Sequence, residues 1–146
     1  AVIGASATKG RPGRVVIENM RANGYKGDIH PVNLRGGKLL GLRVFKTIKD
    51  LTSCIDLAIV ILPAQATPQA VRDCAARNIG SIVLVAGGFA EVDHAGEDLQ
   101  QELARASRET GVRVLGPNTA GHISTPATLR RASLRWARYP VAAFPM

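Results

Sequence analysis

The sequence predicts an α/β fold with a doubly wound, mostly parallel sheet. Two continuous apolar runs, 57–62 and 81–85, are typical of strands buried on both faces, as strands are in parallel sheets. Segments with apolar residues at helical spacing separate the apolar runs. A glycine-containing turn at 4–6 directly follows the first apolar segment, 1–3. Because strands alternate with helices of crossover length, we expect right-handed connections and parallel pairing.

The first half of the chain is predicted to hold three strands and two helices. Glycines bound several of them: Gly24 ends the first helix, and Gly41 interrupts the third strand. On the first helix, Val15, Val16 and Met20 form the predicted apolar face. The predicted bounds are strand 2–3, helix 14–23, strand 28–32, strand 39–45 and short helix 47–51.

The second half continues the alternation. The strand 57–62 ends at Pro63, and Thr67-Pro68 predicts a helix start with Thr67 as the cap and Pro68 at the first helical position. The strand 81–85 ends before Gly87-Gly88. The last predicted elements are a helix with Leu99, Leu103 and Ala106 on its inner face, which ends at Gly111, and a strand over 112–115.

The turn after the first strand is predicted to bind a phosphate. Gly4, Ala5 and Ser6 lie at the strand end, and Lys9 and Gly10 follow before the helix. Such a turn leaves backbone N–H groups unpaired, and the helix dipole adds a positive potential. The turn departs from Gly-x-Gly-x-x-Gly, because Ser6 replaces the second glycine and the loop is longer. It therefore indicates a nucleotide-like ligand other than plain NAD.

The end of the second strand distinguishes between nucleotides. A site for NAD requires Asp or Glu there to bind the ribose hydroxyls. This chain has Asn33 and Arg35, with Lys38 close behind. Cations at this point favour a phosphate on the ribose, which NADP and coenzyme A both carry. A solvated charged loop is the alternative interpretation of Arg35 and Lys38.

Unusual residues also follow the other predicted strands. In a parallel sheet these strand ends share one edge, where ligands bind, so we expect a ligand crevice there. The alternative is that Gly and Pro only mark loops. The candidate binding residues at these three ends are Pro63 and Ala64, then Ala86, Gly87 and Gly88, then Asn118 and Thr119.

Composition narrows the class of protein. The 146 residues suit a single globular domain, and the net charge of +8 favours a polyanionic ligand. Aromatic residues are sparse at 4%, and the basic residues form no compact stripe, which disfavours nucleic acid. Cys54 and Cys74 have neither metal-ligand nor disulfide spacing, so we expect reduced thiols in a cytoplasmic protein. No apolar stretch is long enough to predict a membrane span.

Six short motifs follow one another along the chain. They are Val-Ile-Gly-Ala-Ser at 2–6, Pro-Val-Asn at 31–33, Leu-Gly-Leu at 40–42, Asp-Leu-Ala-Ile-Val-Ile-Leu-Pro-Ala at 56–64, Gly-Gly-Phe-Ala-Glu at 87–91 and Gly-Pro-Asn-Thr-Ala-Gly at 116–121. In this order and spacing, the motifs resemble a known family: the CoA-binding domain of NDP-forming acyl-CoA synthetases, relatives of the succinyl-CoA synthetase alpha subunit. The resemblance covers about residues 1–125.

The resemblance implies a Rossmann-like domain that binds coenzyme A or acyl-CoA. It implies that the turn 4–10 holds phosphates and that Asn33 and Arg35, with help from Lys38, lie near the adenosine 3′-phosphate. Pro63-Ala64 would flank the adenine or the pantetheine arm. Ala86 to Gly88 would let the backbone approach the pantetheine, and Asn118-Thr119 would lie near the thiol end.

The chain departs from the family in what it lacks. The family's phosphorylated histidine and nucleotide-grasping part belong to other domains, for which this chain is too short, so we assign no catalytic residue and expect no complete ligase activity from it alone. A catalytic or nucleotide-grasping partner is implied, and a homo-oligomer stays open. After about residue 125 the family pattern gives way to a basic tail, 126–146.

Two other functions stay open. An NADP-binding domain of an oxidoreductase or redox sensor is compatible with Arg35, and a basic interaction module could use the tail. Among the remaining candidate groups, the acidic cluster Glu91, Asp93, Glu97 and Asp98 is explained more simply as the first turn of a helix than as an acid/base pair. No metal-ligand spacing is present.

Overall fold

The computed structural model describes residues 1–119. Seven strands and three helices alternate along this part of the chain, with short 3₁₀ turns at Ile48–Asp50 and Ala64–Ala66. The strands are β1 (Val2–Ile3), β2 (Pro31–Val32), β3 (Gly37–Leu39), β4 (Leu42–Val44), β5 (Ala58–Val60), β6 (Ser81–Leu84) and β7 (Arg113–Leu115), and the helices are α1 (Pro12–Ala22), α2 (Thr67–Ala75) and α3 (His94–Thr110).

Five strands form one parallel sheet in the order β2-β1-β5-β6-β7. Val16 and Ile17 of α1 belong to an apolar cluster on one face of the sheet, and residues of α2 and α3, including Val71 and Leu103, belong to the cluster on the other. The predicted doubly wound α/β fold is therefore confirmed. Along the chain, β2 and then β5 are added to this sheet after β1, and they lie on opposite sides of β1. The strand order therefore reverses between β1 and β5, and folds of this kind bind ligands at such a reversal.

The prediction of a third strand over 39–45 is wrong. These residues belong instead to an antiparallel hairpin of β3 and β4, whose turn is formed by Leu40 and Gly41, both with positive φ (51° and 80°). Hairpin turns of this kind require the left-handed region, and glycine is common there but leucine is not. The hairpin is joined to the main sheet where Phe45 pairs in parallel with Val32.

The helix boundaries are close to the predicted ones, with one error. Thr67 does not cap α2; it is the first residue of the helix, fully buried, and its hydroxyl donates to the carbonyl of Ala64 at 2.7 Å. The preceding 3₁₀ turn, Ala64–Ala66, explains this, because it makes Ala66 the cap and places Thr67 at the first helical position. Helix α3 ends as predicted at Gly111, which lies in the left-handed region, and Asp93 caps its start by accepting from the N–H of Gly96 at 2.8 Å.

The predicted basic tail, 126–146, lies outside the described residues. Among the helices of residues 1–119, none is both long enough and apolar enough to cross a bilayer.

Candidate functional site

The turn after β1 is held in place from three directions. The N–H groups of Gly4 and Ala5 both donate to the carbonyl of Val32, at 2.9 and 3.1 Å, which fixes the turn to the end of β2. The Ser6 hydroxyl oxygen accepts from the N–H of Thr8 at 3.2 Å. From α1, the guanidinium of Arg14 donates to the carbonyl of Ala7 at 2.7 Å. The turn is therefore a fixed loop rather than a loose connection.

Four N–H groups of this turn are available to a ligand. Ser6 is half-buried, and Ala7, Lys9 and Gly10 are exposed. Within residues 1–119, the N–H groups of these four residues donate to no carbonyl or side chain. Helix α1 starts at Pro12, directly after the turn, with no side-chain cap and no acidic residue in its first turn. Unpaired donors beside an uncapped helix start form a site that favours an anion.

The glycine that sequence reasoning missed here is Gly13. A Cβ atom on Gly13 would lie 2.9 Å from the Cα atom of Ala5, so only glycine lets α1 pack this closely against the turn. In dinucleotide-binding turns the third glycine has this packing role. Gly13 does so nine residues after Gly4, rather than five as in Gly-x-Gly-x-x-Gly, and this is the longer loop that made the pattern irregular.

The predicted ribose end lies on the same edge of the sheet, after β2. The side-chain oxygen of Asn33 accepts from the N–H of Arg35 at 3.0 Å. The backbone carbonyl of Asn33 accepts from the N–H of Gly36 at 2.8 Å. This tight turn presents Arg35 to solvent. Lys38 lies outside this turn, in β3, where it is exposed on the hairpin directly opposite Arg43. The structure thus places Asn33 and Arg35 together and Lys38 on a neighbouring surface.

The loops after β5, β6 and β7 meet at the other end of the crevice. A Cβ atom on Gly88 would lie 3.6 Å from the Cβ atom of Ala64, and one on Gly87 would lie 3.5 Å from Oδ1 of Asn118. The N–H of Asn118 donates to the carbonyl of Ala86 at 2.9 Å. The sequence-predicted residues of these three loops are therefore neighbours, with Pro63 exposed beside Ala64 and Thr119 next to Asn118.

Glu91 is a second residue of this region that sequence reasoning did not assign to the crevice. Its carboxylate accepts from the N–H groups of Gly88 and Phe89, at 2.8 and 3.2 Å. These bonds, chiefly the one from Gly88, lower the pKa of the Glu91 carboxyl below its ordinary value. The pattern Gly-Gly-x-x-Glu was a signal for this, because a carboxylate three residues on can fold back onto a glycine N–H.

The remaining reactive groups have structural explanations. Burial raises the pKa of the Cys74 thiol to about 12, whereas Cys54 is exposed. His94 is fully exposed beside Glu97 at the start of α3. Of the acidic cluster predicted for the first turn of α3, Glu97 lies in that turn and Asp93 caps it, whereas Glu91 lies in the preceding loop. Among residues 1–119, no group of three or more His, Cys, Asp or Glu side chains is placed to hold a metal ion.

The carboxyl edge of the sheet carries different groups at its two ends. Free N–H donors and the cation of Arg35 lie toward β1 and β2, and Gly87 and Gly88 lie toward β6 and β7. Gly87 is close to the side chain of Glu91, since a Cβ atom on Gly87 would lie 3.3 Å from Oε1 of Glu91. Coenzyme A has this order of groups: phosphates at the nucleotide end, then a narrow pantetheine arm.

Comparison with known proteins identifies the same ligand class. The family of CoA binding domains matches residues 1–124. The chain is 35% identical to the alpha subunit of ADP-forming acetate–CoA ligase I of Pyrococcus furiosus, over 88% of this chain and 29% of that protein. It is 37% identical to ADP-forming acetate–CoA ligase II of Archaeoglobus fulgidus, over 86% of this chain and 19% of that protein. The chain therefore spans less than a third of either relative.

A solved structure agrees in fold. The dinucleotide-forming acetyl-coenzyme A synthetase 1 of Candidatus Korarchaeum cryptofilum superposes with a TM-score of 0.74 and 30% identity, over 80% of this chain and 25% of that one. The family match favours coenzyme A over NADP as the nucleotide. This chain belongs to the family of CoA binding domains, is homologous to those of NDP-forming acyl-CoA synthetases, and binds coenzyme A.

Proposed function

We propose that this domain holds coenzyme A or acyl-CoA along the carboxyl edge of its sheet for an NDP-forming acyl-CoA ligation. The observation that carries the proposal is the set of four unpaired N–H groups in the turn 6–10, fixed beside the Asn33–Gly36 turn that bears Arg35. A phosphate needs donors and positive charge in one place, and this edge of the sheet supplies both. In relatives named as CoA ligases, a domain of this kind is part of a much longer protein.

We assign the parts of the ligand by the chemistry of each loop. The turn after β1 binds the diphosphate, with Gly4, Ala5, Ser6, Lys9 and Gly10 as its residues. Asn33 and Arg35, with Lys38 nearby, bind the adenosine 3′-phosphate, because Arg35 is an exposed cation held by a short turn.

The opposite end of the crevice takes the uncharged arm. Pro63 and Ala64 flank it, and the backbone of Ala86, Gly87 and Gly88 approaches it closely, since glycine leaves room for backbone contact. Asn118 and Thr119 then lie near the thiol. Support comes from the loops themselves, because a Cβ atom on Gly87 would lie 3.3 Å from Oε1 of Glu91 and 3.5 Å from Oδ1 of Asn118, so the three residues are close together.

Catalysis requires groups beyond those of the crevice. When bound, coenzyme A supplies the thiol that is acylated, and this chain's residues bind and orient it and keep its phosphates neutralised. The phosphohistidine and the nucleotide-grasping part belong to a partner domain or subunit, as the family resemblance implies. A free-standing regulatory or carrier module is the alternative setting, and a homo-oligomer and a cytoplasmic location stay predictions.

Calorimetric titration of the 146-residue chain with CoA, 3′-dephospho-CoA, NADP and NAD in parallel tests this function. We expect CoA to bind most tightly. Arg35→Ala should weaken CoA by about 1.5 kcal/mol, roughly tenfold, and leave 3′-dephospho-CoA nearly unchanged, because a charge-assisted contact to phosphate is lost. Tighter binding of NADP than of CoA would refute the proposal, and equal weakening of CoA and 3′-dephospho-CoA would remove Arg35 from the 3′-phosphate site.

A further inference from the structure

Lys46 reaches the proposed ribose end of the site from a separate segment of the chain. Phe45 pairs in parallel with Val32, its N–H donates to the carbonyl of Pro31 at 2.9 Å, and its carbonyl accepts from the N–H of Asn33 at 2.8 Å. The segment after β4 therefore runs alongside the end of β2 in the same direction. As the residue after Phe45, Lys46 comes level with Asn33 at the carboxyl edge of the sheet.

The side chain of Lys46 lies across the turn that bears Arg35. A Cβ atom on Gly36 would be 3.3 Å from Cγ and 3.5 Å from Cε of Lys46. The ammonium group is one bond beyond Cε, so it lies at this turn rather than in distant solvent. Gly36 is the residue directly after Arg35, and its N–H donates to the carbonyl of Asn33 at 2.8 Å. Two cations thus border one four-residue turn.

The charge of this surface is not neutralised by the part of the chain that the structure describes. No carboxylate of residues 1–119 lies within 4.0 Å of the charged nitrogens of Arg35 or Lys46. The carboxylate of Asp50, four residues after Lys46, instead accepts from the N–H of Thr47 at 2.9 Å.

The outer face of the hairpin adds to this charge. Lys38 and Arg43 are exposed and directly opposite each other in the antiparallel pair. Like charges in this position destabilise a hairpin. This pair of like charges costs stability in the free protein, and an anionic ligand bound near the hairpin would offset that cost.

We infer that Lys46 and Arg35 together hold the 3′-phosphate of coenzyme A, and that Lys46 sets the preference for coenzyme A over 3′-dephospho-CoA. The inference rests on the proposed function, because it assumes that the ribose lies at the end of β2. A phosphate monoester carries up to two negative charges and has three acceptor oxygens, so it can engage both cations at once. The diphosphate binds elsewhere, at the N–H groups of the turn after β1.

Titration of Lys46→Met, Lys46→Arg and a charge-matched control variant tests the inference. Lys26→Met is the control, because Lys26 is exposed but precedes β2 and so lies toward the opposite edge of the sheet. Lys46→Met should raise the dissociation constant for CoA about fivefold, as expected for an exposed ion pair worth roughly 1 kcal/mol, and change that for 3′-dephospho-CoA less than about twofold. Lys46→Arg should restore CoA binding, and Lys26→Met should change neither constant.

The outcomes separate this inference from the proposed function. If the unmodified chain prefers CoA but Lys46→Met weakens CoA and 3′-dephospho-CoA equally, or weakens neither, Lys46 does not contact the 3′-phosphate. If Lys26→Met weakens CoA as much as Lys46→Met does, the effect is one of net charge and the inference fails. If the unmodified chain does not prefer CoA, the proposed function fails first. Circular dichroism and thermal unfolding check that each variant is folded.

Discussion

Gly4 illustrates how a single residue serves the fold and the site together. Its φ is +90°, and a Cβ atom there would collide with the carbonyl of Ile61 on the neighbouring strand. The glycine is therefore required by the contact between the first strand and the fifth, and the free N–H groups lie further along the turn, from Ser6 to Gly10. A substitution at Gly4 would test folding rather than binding, which is why Arg35 and Lys46 are the more informative positions for mutation.

Glu91 should titrate at unusually low pH for an exposed glutamate. Its folded-state pKa is lowered from an ordinary value of 4.5, chiefly by the hydrogen bond from the N–H of Gly88. A carboxyl group with a lowered pKa stabilises the folded state above its ordinary value, and that stabilisation is lost as the pH falls through the lowered value. We expect the order of the 87–91 loop to be lost over this interval.

Carboxyl-carbon NMR titration of the 146-residue chain measures the Glu91 pKa directly. Glu91→Gln keeps the shape of the side chain but removes the charge, so the pH dependence of amide exchange at Gly88 and Phe89 should disappear in this variant. A Glu91 pKa at or above 4.5 in the unmodified chain would contradict the observed hydrogen bonds.

At the scale of elements, the hairpin shows where a sequence pattern fails. The apolar residues of 39–45 fit a strand, and Gly41 was read as an interruption because Leu40 gave no sign of a turn. Leu40 is half-buried among the apolar residues packed on α1, and the guanidinium of Arg21 donates to its carbonyl at 2.6 Å. These contacts come from distant residues, so they stabilise a left-handed leucine that local propensity disfavours. The prediction that Thr67 caps α2 fails for a related reason. Its hydroxyl donates to the carbonyl of Ala64, which belongs to a 3₁₀ turn that no sequence pattern predicts.

Gly41→Ala should destabilise the protein by about 1 kcal/mol. The φ of Gly41 is +80°, a region that costs an L-residue roughly 1–2 kcal/mol, and no atom lies within 4 Å of the new Cβ position, so the cost is one of backbone conformation alone. Urea unfolding measures the loss as a lower midpoint at constant slope. Gly80→Ala is the control, because its surroundings are equally open and its φ lies outside the left-handed region. It should be neutral or slightly stabilising, and an equal loss in both variants would contradict the assignment of the turn.

For the whole molecule, the alternation of apolar runs and amphipathic helices was enough to predict the parallel sheet. Strands such as Ala58–Val60 are apolar on both faces, which is typical of a parallel sheet. The helices between the strands are long enough for crossover connections, which predicts parallel pairing. The common edge of the strand ends followed from that topology, so most candidate residues could be placed on it from sequence. Lys46 could not, because the hairpin reverses the chain twice before bringing it level with Asn33. The role of Gly13 could not be assigned either, since it depends on how α1 packs against the turn, whereas Glu91 could have been found only from the Gly-Gly-x-x-Glu pattern.

Within residues 1–119, charge is unevenly distributed along the carboxyl edge of the sheet. Residues 1–50 carry ten Lys or Arg and three Asp or Glu, whereas residues 51–119 carry five and eight. The basic segment 1–50 supplies the turn after β1 and the end of β2, and the acidic segment 51–119 supplies Glu91 and the loops proposed for the uncharged arm. A field divided in this way should attract the phosphate end of the ligand first and so orient it on approach.

Coenzyme A binding should therefore weaken with ionic strength, and more steeply than binding of 3′-dephospho-CoA. Both ligands carry the diphosphate, but CoA adds the phosphate that faces the cations around Arg35, and exposed charges are strongly screened once the Debye length falls to about 8 Å near 0.15 M salt. Stopped-flow measurement of association from low salt to about 0.15 M should show the decrease mainly in the association rate constant, because steering acts before contact. Lys46→Met should make the two ligands' salt dependences more alike. Parallel slopes for CoA and 3′-dephospho-CoA in the unmodified chain would show that the cations around Arg35 do not act on the 3′-phosphate of CoA, and would leave the N–H groups of the first turn as the sole phosphate site.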